Sequence, residues 1–132
     1  MENTKQLLEM LWNMGVKKPF KPYRETGTGN ILLRVKHPAE IKEGQLVGSE
    51  IDLYGPLTWR VWTPHTKKAK ACAKRYCLHI RLMDGECELF IPAHLADDLL
   101  PKFGAKVKSN RKGNPEALKA WRQRVANEAG NR

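Results

Sequence analysis

The chain has 132 residues, 41% of them hydrophobic, with 24 Lys and Arg against 14 Asp and Glu for a formal net charge of +10. That length and apolar content describe one globular domain with terminal appendages and exclude an intrinsically disordered chain. No apolar run approaches the roughly 18 residues of a membrane span, and so large a cationic excess points to a polyanion: nucleic acid, an anionic membrane surface or an acidic protein.

The first dozen residues carry Glu2 ahead of the first Lys and no small-residue cleavage site, unlike a secretory signal. Together with an odd count of three cysteines, this predicts free thiols and a reducing, cytoplasmic setting. Asn3 and Gln6 fit a capping box, and Leu7, Leu8, Leu11 and Trp12 share one helical face, so a helix is expected over 4–14. Gly15 and Pro19 end it. Residues 16–30 read as an extended connector in which Phe20 and Tyr23 alternate with Lys17, Lys18, Lys21 and Arg24. Rings take the faces of bases and cations take phosphates, so this is a candidate stacking surface. The pattern suits equally well two rings that tack the connector to the core.

Strands are expected over 31–36, 46–54 and 57–63, with 38–45 as a turn region reversed at Gly44. A three-residue connection, Tyr54-Gly55-Pro56, sets Leu53 opposite Leu57 and Ile51 opposite Trp59. The opposite face then shows Arg60 and Trp62 beside Glu50 and Asp52, which makes Trp62 a candidate base platform. Between Asp52 and Asp84 there is no acidic residue, while Arg60, Lys67, Lys68, Lys70, Lys74, Arg75 and Arg81 fall in that span. An unbalanced run between strands favours phosphate contact over a merely solvated face. Its conformation stays open between a short helix started at Thr63-Pro64 and a loop that orders on binding.

Residues 76–92 organise the core. Asp84-Gly85 suits a two-residue type I′ turn. Pairing outward sets Met83 opposite Glu86, Leu82 opposite Cys87, Arg81 opposite Glu88 and Ile80 opposite Leu89. One face then carries Leu78, Ile80, Leu82, Cys87, Leu89 and Ile91 without a charge, and the other carries His79, Arg81, Glu88 and Phe90. A helix follows over 92–100, with Leu95 and Leu99 inward and Asp97 and Asp98 on an exposed face. Beyond it, 102–132 forms a basic segment that includes Lys106, Lys108, Arg111 and Lys112, and holds nine Lys and Arg against Glu116 and Glu128. Within it, Asn114-Pro115 starts a helix over 115–128 striped by Leu118, Trp121 and Val125.

Catalytic and metal chemistry have little support. Cys72, Cys77 and Cys87 do not follow a zinc spacing, and the hairpin puts Cys77 and Cys87 on opposite faces. His79 with Glu88 and Arg81 imitates a small ribonuclease site, but a cross-strand Arg81–Glu88 pair beside a partly buried His79 explains the same residues. No phosphate-binding glycine loop is present. The sequence therefore predicts an α+β core over 1–101, built on a small five-stranded, mainly antiparallel sheet or barrel of OB-like or SH3-like form with N-terminal and C-terminal helices. Its expected role is non-enzymatic nucleic-acid binding, DNA or RNA, single strands slightly preferred, with no cofactor, no metal and no membrane. The alternative is a basic adaptor or inhibitor that docks on the acidic surface of a nucleic-acid-handling enzyme.

Overall fold

In the computed structural model, which describes residues 4–108, the chain runs through α1 (Thr4–Asn13), β1 (Pro22–Arg24), β2 (Ile31–Leu33), β3 (Glu40–Lys42), β4 (Gln45–Val47), β5 (Glu50–Gly55) and β6 (Thr58–Thr63). It continues through α2 (Thr66–Tyr76), β7 (Ile80–Met83), β8 (Glu86–Pro92), α3 (Ala93–Leu99) and a closing 3-10 turn (Leu100–Phe103). Six strands form an antiparallel sheet in the order β1-β2-β5-β6-β8-β7, and β3 and β4 form a separate ribbon. The α+β class and the antiparallel sheet are as expected. The strand number is six rather than five, and the sheet does not close into a barrel: β1 and β7 are its two edges. Both edges are short, and β1 carries Pro22, two devices that blunt an open edge without closure.

The organising hairpin has the expected register from Met83↔Glu86 to Ile80↔Leu89, but its turn is not type I′: Gly85 is at φ 75° while Asp84 is not at positive φ. Its apolar face is buried on β8, where Cys87, Leu89 and Ile91 are all fully enclosed. The expectation fails at Leu82, which is 54% exposed because β7 is the margin of the sheet and the helix layer covers it only in part. The β5–β6 register is a second correction. Ile51 pairs with Val61 and Leu53 with Trp59, and a bulge lies between Leu53 and Gly55. The slip is two residues, so alternation keeps each side chain on its expected face. Leu57 moves into the turn, however, and is exposed.

Two segments hold strands that sequence patterning did not show. Pro22–Arg24 of the connector pairs with β2 as an edge strand. Residues 40–47 form a hairpin instead of a plain turn, with both central residues, Glu43 and Gly44, at positive φ (50° and 76°).

One core lies between the sheet and its helices. Trp59 and Val61 of β6, Leu89 and Ile91 of β8, and Ile51 of β5 meet Leu7 and Leu11 of α1, Ala69, Cys72 and Ala73 of α2, and Ala96 and Leu99 of α3. Phe20, Phe103 and Ala105 complete it. Residues 102–108 are tied to this body: Ala105 bridges Val35, Val107 bridges Phe20, and Lys108 N–H donates to Pro19 O at 2.8 Å. Asp97 is more than a solvated side chain. Its carboxylate accepts from the backbone N–H groups of Lys17 and Lys18 at 2.9–3.1 Å, which pins the connector to α3.

The three thiols are free, with Cys72 and Cys87 buried and Cys77 exposed. Burial pushes the Cys87 thiol up, only partly countered by Lys70, and so keeps it protonated. Titration of the native protein with a chromogenic disulfide is expected to label one thiol promptly, with the other two reacting only on unfolding. Prompt reaction of all three would contradict this packing.

Candidate nucleic-acid interface

The basic run resolves to a helix. Thr63 Oγ1 accepts from His65 N–H at 3.2 Å, a local turn that precedes the first residue of α2. At the other end Cys77 adopts the left-handed conformation at φ 55° and its N–H returns to Ala73 O. Ala69, Cys72 and Ala73 face the core, all small, so α2 sits close on the sheet. The remaining arc is cationic: Lys67, Lys68, Lys70, Lys74 and Arg75 are all exposed, and none of the helix's 11 residues is acidic. Lys67, Lys70 and Lys74 recur at i, i+3 and i+7, one stripe about 10 Å long at 1.5 Å per residue.

The flank of α2 opens into two adjoining hollows. A groove of about 400 Å³ against the 3-10 turn is lined by Lys68, Ala71, Cys72, Arg75, Tyr76 and Lys102. Lys68 Nζ donates across it to Lys102 O at 2.8 Å. A second hollow of about 240 Å³ shares Lys68 and Lys102 and adds Lys36, His37 and His65. Among the described residues no carboxylate lines either one. The second hollow is shaped by a strap over residues 36–39: Lys36 N–H donates to Gly104 O, Ser49 N–H to His37 O, and Ala39 N–H to Ser49 O. Beneath it Ser49 Oγ donates to Thr63 Oγ1 at 2.8 Å in a buried contact.

Gly48 makes this strap possible. It sits at φ 77°, and a Cβ there would press into the backbone carbonyls of His37 and Pro38. Gly48→Ala is therefore expected to destabilise the fold by about 2 kcal/mol, through a left-handed backbone and a contact that only backbone movement can relieve. Denaturant unfolding measures it. A cost within about 0.5 kcal/mol, the range of an inert surface change, would contradict the strap geometry.

The other sequence candidates fall elsewhere. Phe20 is 1% exposed and belongs to the core, so it presents no face to a base. Lys17 Nζ lies over the Trp12 ring at 3.9 Å and donates to Trp12 O, and Arg24 Nη1 donates to Gly29 O at 2.8 Å. Lys18 is exposed and Lys21 half-buried on the connector. Tyr23 is half-buried under Arg34, whose guanidinium lies 4.4 Å from the ring centroid.

Arg60 and Trp62 do not form a cationic stacking surface. They lie on the face of the sheet away from the helices, in an acidic setting. Arg60 makes a two-pronged bond to Asp52 (Nε–Oδ1 3.0 Å, Nη2–Oδ2 2.7 Å) and a third contact to Glu88 at 3.2 Å. Burial alone would lower its pKa; the hydrogen bond and charge of Asp52, then Glu88 and Glu50, outweigh this and raise it. Trp62 Nε1 donates to Glu86 Oε1 at 3.0 Å. Arg81 pairs with Glu88 at 3.4 Å, as the hairpin register requires. His79 leans on Phe90 at 5.1 Å between centroids but is exposed rather than partly buried. Carboxylates this close to Trp62 repel phosphate. Lys106 and Lys108 are exposed near the end of the described chain; Arg111, Lys112 and the helix expected over 115–128 lie outside the described residues, as does Asn3.

Among the described residues the candidate cations thus divide among α2, the connector, the far face of the sheet and the C-terminal segment, and α2 gathers five of them at one contiguous surface. It recruits Lys36 and His37, which sequence reading passed over, and gives a setting to His65 and Lys102. No protein-family model, curated protein or solved structure matches the chain.

Proposed function

We propose that the protein binds nucleic acid without catalysing a reaction, gripping the sugar-phosphate backbone with α2 and the adjoining hollow of Lys36, His37, His65 and Lys102. The observation that carries this reading is an 11-residue helix with five exposed cations and no acidic residue, whose flank continues into a cleft that no carboxylate lines among the described residues. Such a surface releases counterions from phosphates and contributes affinity without reading bases. Of the stacking candidates Phe20 is buried, while Tyr23, Trp62 and Phe90 are half-buried and Trp62 stands beside Glu86. Stacking is thus a lesser contributor than phosphate contact, and it gives only weak ground for preferring single strands. The expected behaviour is similar affinity for duplex and single strand, DNA or RNA, with little sequence dependence.

Fluorescence anisotropy with labelled mixed-sequence duplex and single-stranded oligonucleotides tests this. Dissociation constants of about 1–100 µM near physiological salt are expected. No binding to either oligonucleotide at low salt would end the reading. The burial of Phe20 also lends weight to a second reading, a basic module that docks on the acidic surface of a protein. Its signature is a partner retained in pull-downs after nuclease treatment.

A further inference from the structure

The hollow between the start of α2 and the 3-10 turn has a more definite construction than a patch of exposed lysines. Three ammonium groups and two imidazoles, those of Lys36, Lys68, Lys102, His37 and His65, line about 240 Å³ together with the buried Ser49 and Phe103. Its rim closes on itself through hydrogen bonds. Lys36 N–H donates to Gly104 O at 2.9 Å and joins the strap to the 3-10 turn, and Lys68 Nζ donates to Lys102 O at 2.8 Å and joins that turn to α2. His65 N–H and Ser49 Oγ both donate to Thr63 Oγ1, and Ser49 N–H donates to His37 O at 2.8 Å, which brings the ring back to the strap. Lys68 also lies over the Phe103 ring, 5.8 Å from its centroid. Apart from Lys68, these bonds use main-chain atoms and hydroxyls rather than the charged ends. Among the described residues Lys36, Lys68 and Lys102 form no ion pair.

We propose that this hollow takes a phosphate monoester, the terminal phosphate of a nucleic-acid strand; the proposal rests on the nucleic-acid reading of α2 and names the part of the strand that the hollow selects. Three observations select this ligand. The first is charge. A monoester carries about −1.5 to −2 at pH 7 on three terminal oxygens, whereas an internal diester carries a single charge. Three ammonium groups and the ring N–H groups of two histidines supply more donors than one diester can accept from. The second is size. The hollow falls below the roughly 300 Å³ at which pockets begin to enclose drug-sized ligands, so it holds a phosphate and its ester oxygen rather than a nucleoside. The third is shape. A strand passing through needs an entrance and an exit, whereas a closed rim has one mouth and admits an end. Walls already tied together also lose little freedom on binding. Lys68 belongs to both the hollow and α2, so the backbone next to the end runs onto the cationic helix.

Anisotropy on the full chain tests it, with one single-stranded oligonucleotide labelled at an internal base and prepared with a 5′-phosphate, with a 3′-phosphate or with hydroxyls at both ends, all at constant ionic strength. At least one phosphorylated form is expected to bind about tenfold tighter than the hydroxyl form, the contribution of one charge-assisted hydrogen bond beyond the shared backbone contacts. His37→Ala with His65→Ala is expected to remove most of that ratio; both side chains are exposed and the rim uses only their main-chain atoms, so the fold is kept. Lys36→Gln with Lys102→Gln is expected to do the same. Lys67→Glu with Lys74→Glu is expected to weaken all forms together and keep the ratio. Equal binding of the three forms overturns the proposal and leaves α2 standing as a backbone contact. A ratio that survives both hollow variants overturns it by placing the end elsewhere. A ratio abolished by inorganic phosphate equimolar with the strand overturns the assignment to a strand end, because the hollow would then take the free ion. No binding of any form overturns this proposal and the reading of α2 together.

Discussion

Arg60→Ala is expected to cost about 3 kcal/mol of unfolding free energy, the largest stability effect of any single charged residue among those described. Asp52 is 4% exposed, and both of its carboxylate oxygens are held by the guanidinium. Truncation leaves this carboxylate without its cation in a nearly dry site, facing Glu50 and Glu88. The desolvation cost of the pair is then uncompensated, which is the situation that makes breaking a buried pair far worse than never having one. Arg60 keeps 27% of its side chain exposed, so the low end of the usual range is the appropriate figure. For a domain stable by about 5–15 kcal/mol this is a large share. Arg60→Lys preserves the charge but not the planar fork and is expected to cost about 1 kcal/mol. Asp52→Asn on top of Arg60→Ala is expected to recover part of the loss, because it removes the stranded charge. Urea unfolding at constant m value reads all three. A loss below about 1 kcal/mol for Arg60→Ala would mean that the pair behaves as a solvated surface bridge.

Reversal of charge on α2 is expected to have the largest effect on binding. Lys67→Glu with Lys74→Glu replaces two exposed lysines, so stability is expected to change by less than about 0.5 kcal/mol. Affinity for a duplex at low salt is expected to fall on the order of 10- to 100-fold, since two phosphate contacts become repulsions. Lys5→Glu with Lys42→Glu is the matched control: it changes net charge equally but lies on α1 and the β3–β4 ribbon. A loss of under about threefold is expected there. Equal losses for the two pairs would show that only overall charge matters and that α2 is not the contact surface.

How far the molecule could be read from its sequence depended on whether turn chemistry and burial agreed. They agreed on the register at Asp84-Gly85, which stands from Met83↔Glu86 to Ile80↔Leu89, although only Gly85 is at positive φ and the turn is therefore not the expected type I′. They did not at Glu43-Gly44, where the first turn residue is a glutamate at φ 50° and gives no hairpin signal. Pro22 hid β1, because proline argues against a strand unless it lies on an edge. The helical state of 64–75 stayed open because its inward residues, Ala69, Cys72 and Ala73, are small and give a faint periodic signal. The site shows the same division. The cationic run of α2 was plain, while Lys36 and His37 are single residues on a strap whose position depends on backbone bonds to Ser49 and Gly104. Arg60 was misassigned for a mechanical reason. The expected β5–β6 register set it opposite Glu50, whereas the slip of two sets it opposite Asp52, a nearly buried carboxylate that claims it. Alternation identified the face correctly and said nothing about the partner.

The most direct measurement of the central claim is the affinity of the unaltered protein for a mixed-sequence duplex across about 50–200 mM salt, taken by anisotropy. If four or five cations of α2 and its cleft neutralise phosphates, the logarithm of the association constant falls with the logarithm of salt at a slope of about −4, roughly 0.9 per contact. A slope near zero with binding intact would contradict the account, because it would place the affinity in contacts other than those of the cationic helix.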